Sequence, residues 1–124
     1  MTEEAATILV VDDDPFTAEL TGMIIEMAGY ETVIAEGGVD ALEKIEANPA
    51  IRVVVSDMNM PFMDGVELFA ELRRQGFSQP FLLVTGEDAA PLRLAHPEIN
   101  AIMTKDEQLQ ETLPEMVESL LSGL

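Results

Sequence analysis

The chain has 124 residues, 48% of them hydrophobic, no cysteine, and a formal net charge of -18. That length suits one domain with a single core, the hydrophobic fraction excludes a disordered chain, and without cysteine there are neither disulfides nor thiolate metal sites. Six basic residues (Lys44, Arg52, Arg73, Arg74, Arg93 and Lys105) against 24 acidic ones argue against direct DNA binding and against anionic membranes.

The first apolar run, ILVV, stops at Asp12-Asp13-Asp14 and predicts a buried strand. Asp14 then suits an N-cap and Pro15 a first helical turn, with Phe16, Leu20, Met23, Ile24 and Met27 on one stripe of an amphipathic helix that Gly29 ends. A short strand is expected over Glu31 to Ala35. After Gly37-Gly38, Val39, Leu42 and Ile45 mark a second helix ending near Asn48-Pro49. Arg52 to Asp57 is the third strand, and a helix with Val66, Phe69 and Leu72 inward spans Gly65 to Gln75. Phe81 to Thr85 and Ala101 to Thr104 are the fourth and fifth strands. Between them a helix capped by Asp88 has two turns at most, because His96-Pro97 stops it. The last helix carries Leu109, Leu113, Met116, Val117 and Leu120; Pro114 predicts either a kink or a second start at Thr112, which has capping-box spacing to Glu115. Alternating strands and helices give one α/β domain over residues 1–124, with a parallel sheet and right-handed crossovers.

Three more apolar runs end like the first: VVVS at Asp57, FLLV at Thr85, AIMT at Lys105. In an open parallel sheet the ligand crevice lies beyond the carboxyl ends of the strands, so these residues are expected to meet. Asp12, Asp13 and Asp57 would repel one another there unless a cation neutralised them, and an all-oxygen set suits a hard divalent ion such as Mg²⁺. A hydroxyl from Thr85 and an ammonium from Lys105 complement that set, since both can bind a phosphoryl group.

ILVVDDDP, SDMNMPFMDG, VTG and Lys105, with GYETVIAEGGVDAL, together resemble the receiver domain of bacterial response regulators over essentially the whole chain. The resemblance implies a flavodoxin-like (βα)5 sandwich of three layers, with a five-stranded parallel sheet in the order 2-1-3-4-5. It implies that Asp57 takes a phosphoryl group from a phosphohistidine on a sensor histidine kinase or a histidine phosphotransfer protein. Asp13, Asp57 and the backbone carbonyl of Asn59 would hold Mg²⁺, with Asp12 acting through water. Thr85 and Lys105 would bind the phosphate, and Asn59 and Glu87 would tune its removal. Such a protein signals through a downstream protein target, with a homodimer possible, and is no enzyme in the ordinary sense.

The chain also departs from the family's pattern. Asp106 stands where receivers usually have a proline after the lysine, which predicts a trans bond and a reshaped loop. Ile102 stands at the position of a switch aromatic. Met58, Met60 and Met63 fit either a docking patch or gap-filling beside the pocket. No apolar run approaches the ~20 residues that span a bilayer, and Met1 to Thr7 is unlike a signal peptide, so a cytoplasmic protein is expected, either a stand-alone receiver or a piece of a longer one. Two rivals remain: a phosphatase resembling the haloacid dehalogenases, from the D-x-D spacing of Asp12 and Asp14, and a degenerate receiver that binds partners without phosphorylation.

Overall fold

A computed structural model describes residues 6–123. Its elements are β1 (Thr7–Val11), α1 (Pro15–Met27), β2 (Glu31–Ala35), α2 (Gly38–Ala47), β3 (Ile51–Asp57), α3 (Gly65–Arg74), β4 (Phe81–Thr85), α4 (Ala90–Ala95), β5 (Ala101–Thr104) and α5 (Leu109–Leu121). All strand pairs are parallel, in the order β2-β1-β3-β4-β5. That is the flavodoxin-like order the resemblance implied.

β-branched and leucine runs make the central strands because both of their faces are covered. On one face Leu9, Val11, Val54, Phe81, Leu83 and Ile102 pack with Ala41, Ile45, Leu68, Phe69 and Leu72 of α2 and α3. On the other, Ile8, Val10, Val53, Val55, Leu82 and Val84 pack with Ile25 of α1 and Leu113, Val117 and Leu120 of α5. Ile102 is part of the first core, and Met58, Met60 and Met63 pack against it as gap-fillers.

Two helices correct the sequence expectation. In α1 the buried residues are Ala18, Gly22 and Ile25, whereas Phe16, Leu20, Met23 and Met27 face solvent, Phe16 at 68% and Met27 at 82% exposure. At Gly22 the helix faces β2: a Cβ there would meet Thr32 Oγ1 at 3.6 Å and Ile34 Cδ1 at 3.7 Å, ordinary van der Waals contact, while Ile24 packs against the second core from the edge of the stripe. In α2, likewise, Gly38, Ala41 and Ile45 are buried and Val39 is exposed.

Pro114 lies inside an uninterrupted α5, so no second helix starts at Thr112; the Thr112 hydroxyl instead donates to the Gln108 carbonyl one turn back. Burial of Leu113, Val117 and Leu120 holds the helix together across the missing N–H. The short α4 is attached to β5 by Arg93, whose guanidinium donates to the Ile102 carbonyl from Nε (3.0 Å) and from an Nη atom (2.7 Å).

Register sets the height of each functional residue. Val11 pairs with Ser56, so Asp12 and Asp57 leave neighbouring strands at one level. Asp57 pairs with Val84 and Thr85 with Thr104, which brings Lys105 out one residue later at the same end of the sheet.

Candidate functional site

Three carboxylates converge where β1 and β3 end. One oxygen each from Asp12, Asp13 and Asp57 lies within 4.8 Å of the other two. Asp12 is 5% exposed, and its Oδ1 accepts the Asp14 N–H at 3.0 Å, a bond that folds the acidic run over the end of β1. Burial pushes the Asp12 carboxyl above the ordinary aspartate range. The Asp14 N–H opposes that push, the Asp57 charge adds to it, and Lys105 opposes it in turn.

Lys105 reaches into the cluster from β5. Its Nζ lies 2.8 Å from Asp57 Oδ1 and 3.6 Å from Asp12 Oδ2, and its backbone N–H donates to the Thr85 carbonyl at 2.7 Å. The described residues contain no cis peptide bond, so Lys105–Asp106 is trans, as the sequence predicts. Beneath the polar groups Val55, Val84, Leu109 and Leu113 form an apolar floor. Charges on such a floor interact more strongly than they would in bulk water.

The SDMNMPFMDG segment builds the wall on the α3 side. Asp64 caps α3 in a reciprocal box: its Oδ1 accepts the Glu67 N–H at 2.8 Å, while Glu67 Oε1 accepts the Asp64 N–H at 2.9 Å. Gly65 N–H donates to the Met58 carbonyl at 2.9 Å, and a Cβ on Gly65 would stand 2.7 Å from the Asp57 carbonyl oxygen and collide with Leu83 Cδ1. The Asp-Gly pair thus serves two purposes. Aspartate starts the helix, and glycine lets that helix sit against the backbone of Asp57. The sequence contains the pair, but the close approach is visible only in three dimensions.

The remaining sequence-predicted residues are placed less centrally. Thr85 is buried at the end of β4, and its hydroxyl accepts the Glu87 N–H at 3.1 Å rather than engaging Asp57. Asn59 and Glu87 are exposed, two residues beyond Asp57 and Thr85 respectively. Asp14, the second carboxylate of the D-x-D spacing, is taken up in capping α1: it accepts from Phe16 N–H at 3.1 Å and from the Thr17 hydroxyl at 2.9 Å. The phosphatase rival therefore loses one of its two carboxylates to a structural role. Thr104 has a part that sequence reading did not anticipate, since its hydroxyl accepts the Ala89 N–H at 3.1 Å and ties the start of α4 to β5.

As a donor set the cluster is oxygen-only and anionic, which fits Mg²⁺ and offers nothing to a thiophilic metal. No helix among the described residues is long and apolar enough to cross a membrane.

The family model for the response regulator receiver domain matches residues 8–118. The transcriptional regulatory protein GlrR of Escherichia coli K12 is 34% identical over 91 residues, which are 73% of this chain and 20% of GlrR. Response regulator MprA of Mycobacterium sp. strain KMS is 37% identical over 111 residues, 88% of this chain and 48% of MprA. The chain therefore spans less than half the length of either relative. Among solved structures, the signal receiver domain of NarL from Mycobacterium tuberculosis has a TM-score of 0.87 at 25% identity, covering 98% of this chain and all of that one. The response regulator TrrA from Thermotoga maritima has a TM-score of 0.83 at 30% identity, covering 93% and 98% respectively. This chain belongs to the response regulator receiver domains of two-component signalling.

Proposed function

We propose that Asp57 is the phosphoacceptor of this receiver and that its donor is a phosphohistidine on a sensor histidine kinase or a histidine phosphotransfer protein. The observation that carries this reading is the pairing of Lys105 Nζ with Asp57 Oδ1 at 2.8 Å beside the Asp12–Asp13–Asp57 cluster. An Asp57 carboxylate oxygen attacks phosphorus in line, the P–N bond breaks, and the donor histidine leaves with the bonding pair. Such a transfer depends mainly on positioning and on neutralising charge.

Asp13, Asp57 and the Asn59 carbonyl would hold Mg²⁺, with Asp12 acting through water. The bound ion would supply a positive charge against the phosphoryl oxygens and relieve the repulsion among the carboxylates. In support, TrrA was solved in complex with Mg²⁺ and BeF. Lys105 holds Asp57 before transfer and pairs with the phosphoryl oxygens afterwards. Thr85 supplies a hydroxyl to the same group, exchanging the loop contact it now makes with Glu87 N–H. Asn59 and Glu87 stand exposed on either side, where they would set how readily water reaches the acyl phosphate.

The solvent-facing apolar residues of α1, Phe16, Leu20, Met23 and Met27, begin next to the acidic run and form a continuous contact for the phosphohistidine protein. Output passes to a downstream protein target, with a homodimer as one form of it. The net charge of -18 argues against nucleic acid as a direct partner of this domain.

Treatment with acetyl phosphate and Mg²⁺, followed by mass mapping, tests the assignment. Modification at Asp57 that is lost in Asp57→Asn and in EDTA is expected. Modification at Asp12 would restore the phosphatase rival, and no modification at all would leave a binding module.

A further inference from the structure

Between the end of β5 at Thr104 and the first residue of α5 at Leu109, the chain has four residues in which to leave the sheet, turn and start a helix. Lys105 is the first of them, so the turn decides where its side chain starts. On the sheet side its backbone is fixed by the N–H donated to Thr85. On the helix side α5 offers no help, because Gln108 at its N-cap makes no side-chain capping bond. What closes the turn is Asp106. Its Oδ1 accepts the Gln108 N–H at 2.9 Å, and its backbone carbonyl accepts the Leu109 N–H at 3.1 Å. An aspartate that binds the N–H two residues on forms an Asx turn, a local constraint on backbone direction.

We propose that Asp106 is a positioning residue for Lys105: its carboxylate closes an Asx turn that fixes the backbone from which Lys105 reaches Asp57. The carboxylate acts as a hydrogen-bond acceptor and not as a charge. In a chain already at -18, an exposed extra anion next to Lys105 has no electrostatic value for an acidic site. A proline in this place would restrict the backbone covalently, whereas here a side-chain acceptor does so across a trans bond. The proposal rests on the phosphoacceptor reading of Asp57.

The test measures beryllofluoride binding to the full chain in Mg²⁺ by ¹⁹F NMR, across Asp106→Asn, Asp106→Glu, Asp106→Ala, Lys105→Ala and the Lys105→Ala/Asp106→Ala double variant. Asparagine keeps the acceptor and loses the charge, while glutamate keeps the charge and misplaces the acceptor. Asp106→Asn is expected to bind within about twofold of wild type, and Asp106→Glu and Asp106→Ala about fivefold more weakly, as loss of one local hydrogen bond implies. In the Lys105→Ala background Asp106→Ala is expected to add nothing, because its effect travels through the lysine.

Wild-type affinity in Asp106→Ala overturns the proposal. So does a loss that persists without Lys105, or a strong Asp106→Glu beside a weak Asp106→Asn. Should Asp106→Ala fail to fold, the asparagine and glutamate variants still decide between acceptor and charge. A wild-type chain that binds no beryllofluoride overturns the phosphoacceptor reading and this proposal together; wild-type binding that Asp106→Ala leaves intact overturns the proposal alone.

Discussion

Gly65 carries as much of the site as the charged residues do, although it has no side chain to react. A Cβ there would press on the carbonyl oxygen of Asp57, a backbone atom that cannot swing aside as a side-chain tip could. Gly65→Ala is therefore expected to lose about 1–3 kcal/mol in urea unfolding, the usual cost of forcing an atom into packed space. It should also weaken beryllofluoride binding, because the strain falls on the phosphoacceptor itself. An alanine variant as stable and as competent as wild type would show that α3 can retreat freely. At this scale the sequence was legible where an apolar run ended in a charged residue, as at Asp12, Asp57 and Lys105. Hydrogen bonds from loop N–H groups were not legible. Nothing in the composition pairs the Thr85 hydroxyl with Glu87, or the Thr104 hydroxyl with Ala89.

Among the elements, α1 separates hydrophobic from buried. Its larger apolar side chains fall on one stripe, and periodicity alone assigns such a stripe to the core. The structure turns the helix so that Ala18, Gly22 and Ile25 are buried and, of the stripe, only Ile24 packs against the core. Leu20→Gln with Met23→Gln is thus expected to change unfolding free energy by under about 0.5 kcal/mol per site, as for other surface substitutions. The same pair should slow phosphotransfer from a phosphohistidine protein about tenfold, the scale of losing interface anchors, while leaving labelling by acetyl phosphate unchanged. Equal slowing with both donors would place the fault in the pocket rather than on the helix. The end of α4 was readable from His96-Pro97 and the inner face of α5 from the spacing of Leu113, Val117 and Leu120. The start of α4 lies one residue on from the expected cap: Ala89 is its N-cap, and Asp88 accepts the Ala90 N–H at 3.2 Å from outside the helix. That α5 continues through Pro114 was not readable either, since tertiary burial outweighed a local signal.

Over the whole molecule, 24 acidic against six basic residues make self-repulsion a general tax on the folded state, heaviest where Asp12, Asp13 and Asp57 meet. Sodium chloride should raise the melting temperature by screening. Mg²⁺ at matched ionic strength should raise it further, since saturating a site to 100 times its Kd stabilises by about 2.7 kcal/mol. Asp13→Asn should melt higher than wild type without Mg²⁺ and lose the Mg²⁺-specific gain. A gain that is identical in both proteins would mean that Mg²⁺ acts by screening alone. Fold class followed from the alternation of strands and helices, and the order 2-1-3-4-5 from resemblance. The register that brings the strand ends level belongs to the assembled sheet.

Arg93 also matters for how the molecule behaves in a crowd. β5 is the last strand of the sheet, so one of its sides has no strand beside it. Lys105 N–H turns inward to Thr85, and directions alternate along a strand, so the Ile102 carbonyl turns outward. Arg93 occupies that acceptor with two hydrogen bonds from its guanidinium. An open strand edge invites a foreign strand to extend the sheet, which is how aggregates and swapped assemblies start. With that acceptor taken, a strand approaching this border would find one carbonyl of its ladder already occupied, so Arg93 blunts the edge at Ile102.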